Sequence, residues 1–228
     1  MRYNRVVDDR LIGRGAFLGL LGAGALGLVW GRRIADGAER LIPDFVPQLG
    51  SSKGWRIYTI GDSIPEIDPA TYRLKVEGMV ERPLSLSLAE LRSLPRADQI
   101  SDFHCVTGWS VDDVAWGGVR FKDVLGEAGA KPGARWLRFI SNEVPYTDTL
   151  SVQQALLPDA MLAFAMDGKP LSAPHGAPLR VVMPQMYGYK SVKWVERIEV
   201  RRDFVPGFWE TNGYDSDAWI GRSNGLGA

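Results

Sequence analysis

Residues 102–125 read DFHCVTGWSVDDVAWGGVRFKDVL, and the one cysteine of the chain, Cys105, stands near the start of that stretch. It follows an apolar run and precedes Thr107-Gly108, a turn signal, so its sulfur is expected at a strand end facing a cavity. Two chemistries are open to such a thiol, nucleophile or soft metal ligand, beside the bland alternative of a small buried hydrophobe. A nucleophile needs a base held by a third group. His104 is adjacent in sequence and on a strand points to the opposite face. The only other histidine, His175, reaches the sulfur only if the fold brings it there. Local logic leaves the three readings open. Further along, Phe121, Val124 and Leu125 share one helical face, and the helix is expected to stop at Gly126.

Working outward, 72–77 (YRLKVE) alternates apolar and charged residues, the pattern of a half-buried strand. Ser87-Leu88-Ala89-Glu90 is a capping box that opens a short helix ended by Pro95. A second box, Ser151 with Gln154, opens another that ends before Pro158. Further strands are expected over 135–140, 179–183 and 193–200, and Asp167-Gly168 is a hairpin turn. Strands outnumber helices in an irregular order, which predicts a mixed, strand-rich α+β domain and not a doubly wound sheet. The one GxGxxG string, 22–27 (GAGALG), lies inside an uncharged apolar run and follows no predicted strand, and no Walker loop appears, so a nucleotide site has no support.

Charge narrows the function classes. The 228 residues carry 27 basic and 27 acidic side chains. Residues 1–40 hold seven arginines against four acids, so the body is slightly acidic and no basic field remains to grip a nucleic acid. A lone cysteine rules out an internal disulfide and a multi-cysteine zinc site. No cysteine or histidine set marks a haem or iron–sulfur cluster of the chain's own.

The first 35 residues read as an export signal or membrane anchor. From Gly15 to Gly31 there are 17 uncharged residues, flanked by Arg10 and Arg14 before and Arg32-Arg33 after. That length lies between a signal-peptide core and a spanning helix. Arg14-Gly15-Ala16-Phe17-Leu18 is similar to a twin-arginine export signal in which Gly15 replaces the second arginine. No small-x-small cleavage site follows directly, so an uncleaved anchor stays open. The Gly15/Gly19 and Gly27/Gly31 spacings also fit a helix-pairing face, and a buried core helix is a further alternative. Segment 10–33 predicts a periplasmic or extracytoplasmic location. Residues 36–70, rich in Pro, Gly and Ser, read as an extended arm or linker, and 71–228 as the folded domain.

The cysteine stretch resembles the corresponding segment of the sulfite-oxidase fold family of molybdopterin-dependent oxidoreductases. It is most similar to the branch containing the catalytic subunit of the bacterial periplasmic protein-methionine-sulfoxide reductase. The similarity resumes over 175–184 (HGAPLRVVMP), continues over 187–194 (YGYKSVKW) and ends in 207–214 (GFWETNGY). The resemblance implies a sulfite-oxidase-type domain in which the Cys105 thiolate binds molybdenum beside the two dithiolene sulfurs of a pyranopterin. A soft thiolate suits such a centre, and it must be deprotonated to bind. By matched position, His175 and Arg180 hold the pterin and its phosphate. Ser191, Val192 and Lys193 form a phosphate loop of backbone N–H groups and an ammonium. Ser141 supplies a hydroxyl contact, and Tyr58 and Thr59 contribute from the arm.

Departures from the family pattern bear on the substrate. Two residues after the cysteine the reductase branch has a glutamate, where this chain has Thr107. Sulfite oxidases follow their cysteine with a run containing arginine, whereas 106–110 (VTGWS) has none. The resemblance therefore implies two-electron oxygen-atom transfer, with reduction of a sulfoxide or similar neutral oxide ahead of sulfite-type oxidation. The oxide is small or protein-bound, and Thr107, Trp109 and Trp116 are candidates for the pocket wall. Electrons are expected from a membrane cytochrome or quinone-linked partner. A membrane-tethered, non-catalytic subunit that keeps the fold and a cysteine-dependent hydrolase are the competing readings.

Overall fold

The computed structural model describes residues 54–222. The anchor or export segment expected over 1–35, and the first part of the 36–70 arm, lie outside the described residues. No helix among the described residues is long and apolar enough to cross a membrane.

Among the described residues, ten strands, four short α-helices and two 3-10 turns follow in an irregular order. Strands β1 (Arg73–Gly78), β2 (Leu84–Ser87), β5 (Trp136–Ser141), β6 (Thr147–Ser151) and β10 (Val195–Arg201) form one sheet in the order β2-β1-β10-β5-β6. Only β1 and β10 pair in parallel within it. The second sheet runs β3 (Arg96–His104), β4 (Ser110–Arg120), β7 (Met161–Met166), β8 (Lys169–Pro170), with β9 (Arg180–Val182) also paired to β7. The mixed, strand-rich α+β class expected from the sequence is the observed one.

Alternation explains the first sheet. Leu74 and Val76 of β1, Leu137 and Phe139 of β5, and Ile198 and Val200 of β10 are buried in one core. The outward face carries charge pairs such as Arg138–Glu199 at 3.4 Å and Arg197–Glu77 at 3.2 Å. Period-two burial of this kind stabilises by about 1.5–3 kcal/mol per large apolar side chain. Helix α2 (Phe121–Ala128) adds Phe121, Val124, Leu125 and Ala128 to the same core.

Local signals behave as their chemistry dictates. In α1 (Leu88–Ser93) Glu90 N donates to Ser87 Oγ at 3.2 Å and Ser87 N donates to Glu90 Oε2 at 2.7 Å. Both arms of the second box are likewise made in α3 (Val152–Ala155), at 3.1 and 2.7 Å. Asp167 and Gly168 both adopt positive φ, as a tight hairpin turn between β7 and β8 requires.

Beside one-residue shifts at β1, β5 and β9, two boundaries differ from expectation. Helix α2 passes Gly126 and ends at Ala128, because Gly129, at φ +66°, supplies the left-handed cap. Strand β10 begins at Val195 and not at Lys193, because Trp194 takes φ +51° and its ring N–H donates to Ala173 O at 2.8 Å. Residues 193–194 thereby join a loop, and that loop shapes the site.

Candidate functional site

The β3–β4 hairpin carries the cysteine. Cys105 N donates to Trp109 O at 2.9 Å and Gly108 N donates to Cys105 O at 3.0 Å, closing a tight turn just beyond β3. Gly108, at φ +88°, occupies the left-handed region that such a turn demands. Cys105 is half-buried, and its sulfur lies 3.2 Å from Thr107 Oγ1. His104 turns away and pairs through Nδ1 with Ser110 Oγ at 2.7 Å. Among the described residues no hydrogen bond joins Cys105 to either histidine, so the base a cysteine hydrolase needs is not paired with this thiol.

The thiol borders a cavity of about 360 Å³. Of the residues singled out in the sequence, Cys105, Thr107, Trp109, His175, Arg180 and Lys193 line it, as do Ser191, Tyr58 and Thr59. Sequence distance is bridged by the second sheet, which sets β9 and its flanking loops beside the β3–β4 turn. The arm is irregular over 54–72 and crosses the cavity. Two contacts hold it there. Ile60 N and Gly61 N donate to the Glu143 carboxylate at 2.7 and 3.3 Å, and Lys193 Nζ donates to Tyr58 O at 2.7 Å.

Ser141, Val192 and Trp116 are not on the cavity wall. Ser141 Oγ donates to Lys193 O at 2.8 Å and accepts from Glu143 N at 3.0 Å, so the hydroxyl braces two wall residues from behind. The Val192 side chain is buried in the core. Trp116 packs its ring 5.0 Å from the Arg180 guanidinium, which also sits 5.6 Å from Phe103.

Electrostatics distinguish this wall. Arg180 is only 2% exposed, yet among the described residues no carboxylate pairs with it. Its N–H groups donate to the carbonyls of His175 at 3.0 Å, Ser191 at 3.3 Å and Val181 at 3.3 Å. Burial pulls its pKa down to about 10. Lys193 likewise lacks a carboxylate partner among the described residues, and burial and then Arg180 lower it to about 8. Gly176, at φ +98°, lets the His175 loop approach Lys193; a β-carbon there would stand 2.9 Å from Lys193 Cβ. Burial, followed by the two cations, lowers His175 to about 4, so its ring is neutral at pH 7. The ring packs edge-on against Trp55, and its buried Nδ1 has no partner.

A buried and a half-buried cation without a carboxylate partner among the described residues cost free energy until an anion arrives. The backbone N–H groups of Val192 and Lys193 donate to no oxygen among the described residues, which adds unspent donors beside them. A soft sulfur, an orphaned imidazole nitrogen, two cations and free amides around one cavity suit a phosphorylated, metal-bearing organic ligand. The residues present fit a molybdopterin.

A second wall went unread in the sequence. Lys190 is fully buried and donates to Asp148 at 2.7 Å, to Thr149 O at 3.1 Å and to Glu210. Burial works against its charge, but Asp148 and Glu210 hold its pKa above the ordinary value. Burial in turn raises the Asp148 carboxyl against the pull of Lys190. The cluster ties α4 (Phe208–Thr211) to β6, placing Trp209 and, just beyond, Tyr214 on the cavity. Tyr146 closes the wall between them and donates to Tyr189 O at 2.7 Å. Lys190 and Glu210 both lie inside the quoted motifs, so the motifs were the available signal; Asp148 had none.

Residues 61–209 match the oxidoreductase molybdopterin binding domain family. The chain is 40% identical over 175 residues to the uncharacterized oxidoreductase YuiH of Bacillus subtilis, covering 76% of this chain and 88% of that protein. It is 35% identical over 162 residues to the putative protein-methionine-sulfoxide reductase subunit YedZ1 of Azospira oryzae, covering 71% and 60%. Among solved structures it is similar to the sulfane dehydrogenase SoxCD of Paracoccus pantotrophus, with a TM-score of 0.57 and 26% identity. That match covers 61% of this chain and 40% of the other, so the chain spans well under two thirds of some proteins it resembles.

Proposed function

The chain belongs to the oxidoreductase molybdopterin binding domain family, and on that premise we propose that it catalyses two-electron oxygen-atom transfer, reducing a sulfoxide or a similar neutral oxide. The observation that carries this reading is a thiol at one side of a cavity whose other residues include buried Arg180 and half-buried Lys193, neither paired with a carboxylate among the described residues. Cys105 is the metal ligand. Arg180, Ser191, Lys193 and the amides of 192–193 hold the phosphate, while His175 faces the pterin. Tyr58 and Thr59 close over it from the arm, and Ser141 keeps Lys193 in place. When bound, the molybdenum–pyranopterin would supply the two-electron oxygen-transfer chemistry.

The residues nearest the sulfur decide the substrate class. Thr107 and Trp109 present a hydroxyl and an indole, with no charge, which favours an uncharged oxide on a small molecule or a methionine side chain of a protein. Tyr146 and Tyr214 add phenols to the same cavity. Burial and the carboxylates of Asp148, Glu210 and Glu143 push the Tyr146 pKa well up, so it stays protonated as a donor. A second reading, oxidation of an anion such as sulfite, draws on Arg56, an exposed guanidinium of the arm that also lines the cavity.

Electrons are supplied by a membrane cytochrome or quinone-linked partner. Residues 10–33 export or anchor the chain, so that 71–228 works outside the cytoplasm with 36–70 as its arm. The deciding experiment quantifies molybdenum and pterin on purified protein and then screens sulfoxides, N-oxides and sulfite with an artificial electron carrier. Stoichiometric cofactor and sulfoxide turnover that Cys105→Ser abolishes are expected. Sulfite turnover lost in Arg56→Gln selects the second reading. Cofactor-free protein, or full activity in Cys105→Ser, overturns both.

A further inference from the structure

We infer that the Thr107 hydroxyl donates a hydrogen bond to the Cys105 thiolate and thereby sets the donor strength of that sulfur, making Thr107 a positioning residue that acts through Cys105. The inference rests on the proposed role of Cys105 as metal ligand. Its ground is the 3.2 Å separation of Thr107 Oγ1 from Cys105 Sγ, inside a turn that leaves little freedom to either residue.

The turn makes the contact local and repeatable. Gly108 N is bonded to Cys105 O, and Cys105 N to Trp109 O, so the backbone on both sides of Thr107 is pinned. A β-branched residue has few χ1 choices, so little rotamer entropy is lost in keeping its hydroxyl against the sulfur. Among the described residues no other group makes a hydrogen bond to this sulfur.

Chemistry gives the direction. Between a thiol and an alcohol, either atom can donate. A sulfur that binds a metal has lost its proton and can only accept, so the hydroxyl must donate once the ligand is in place. A donor withdraws electron density from the thiolate. Hydrogen bonds to ligating sulfur are a recognised control on the potential of metal–thiolate centres. The less electron-rich sulfur stabilises the reduced state of the centre and raises its potential. A carboxylate at the same position does the opposite, by placing negative charge beside the sulfur and offering no proton at pH 7. Thr107 therefore does more than shape the pocket.

The test compares Thr107→Val, which removes the hydroxyl at nearly constant volume, with Thr107→Ser, which keeps it. Three properties are read on cofactor-loaded protein: metal content, the sulfur-to-metal charge-transfer absorption and the midpoint potential. Thr107→Val is expected to shift the absorption to longer wavelength and the potential to more negative values. Thr107→Ser should return both towards wild type, and Thr107→Glu should move the potential further down than valine. A loaded Thr107→Val protein with wild-type absorption and potential overturns the inference and leaves the Cys105 assignment standing. A purely structural effect of residue 107 is excluded by the serine rescue, and Thr107→Ala reads the same two properties if the valine variant does not fold. Wild-type protein without molybdenum, or a Cys105→Ser variant that keeps the wild-type absorption, instead brings down the ligand assignment and the inference with it.

Discussion

Lys190 and Lys193 stand three residues apart in one motif, and their surroundings are opposite. Lys190 is sealed against two carboxylates and a carbonyl. Lys193 meets one carbonyl, the face of Trp194 at 4.0 Å and the repulsion of Arg180, against a weaker pull from Glu143. The first cation is neutralised by the protein itself and belongs to the framework. The second, with Arg180, is left for something the chain does not contain. Neutralisation within the fold separates a structural charge from a binding charge, which residue type alone does not.

The sharpest way to break that contrast is Lys190→Met. It strands Asp148 and Glu210 in the interior, and removing one partner of a buried ion cluster costs about 3–5 kcal/mol. Denaturant unfolding should show that loss with or without cofactor, and an unchanged midpoint would place Lys190 outside the framework. Lys193→Met should do the reverse. The empty protein is expected to be at least as stable as wild type at pH 7, because the cation that burial and Arg180 disfavour is gone. Cofactor retained after dialysis should fall about 10–100-fold, the worth of a hydrogen bond to a charged group. Equal retention would remove Lys193 from the phosphate site.

Acidity sharpens the same comparison without a large mutational effect. Lys193 titrates near 8 in the fold, below its ordinary value of 10.5. Between those values the folded chain binds fewer protons than the unfolded one, so the empty protein should gain stability as pH rises from about 8 towards 10.5. His175, near 4 against an ordinary 6.5, acts in the same sense at lower pH: stability should fall as pH drops from 6.5 towards 4. Unfolding midpoints across pH, compared with those of Lys193→Met, test this; an identical alkaline slope in the variant would refute the Lys193 assignment. The smallest effect concerns the arm. Glu143→Gln weakens its bonds to Ile60 and Gly61 by about 1 kcal/mol. Limited proteolysis across 54–61 should then quicken about 5-fold, and unchanged cleavage would show that Glu143 does not secure the arm.

What was legible beforehand depended on range. The capping boxes at Ser87–Glu90 and Ser151–Gln154, the Asp167-Gly168 turn and the alternation around Leu74 and Val76 were readable because their partners lie a few residues away. The long β3–β4 hairpin was not. β3 is an edge strand with no fully buried residue, and Ile100 lies on its exposed side, so no apolar stripe marks it. Its register is set by pairing with β4, as in Gln99 opposite Trp116. The site divides in the same way. Cys105, His175, Arg180 and Lys193 were legible through the motifs that contain them, and Ser191 with them. Ser141 was legible as a position, but its bond to the Lys193 carbonyl was not. Glu143 and Asp148 carried no signal, because the groups they meet lie 83 and 42 residues away.

The amino-acid order alone determined the domain class, the single thiol, and the cationic motif downstream of it. These are properties of residue type, spacing and short-range hydrogen bonding, all carried along the chain. Which of two neighbouring lysines is neutralised, that Thr107 touches the thiol, and that the arm is clasped across the cavity were decided by tertiary structure. Charge pairing, burial and the path of a loop depend on groups distant in sequence, whose meeting is set by the packing of two sheets and not by any one segment.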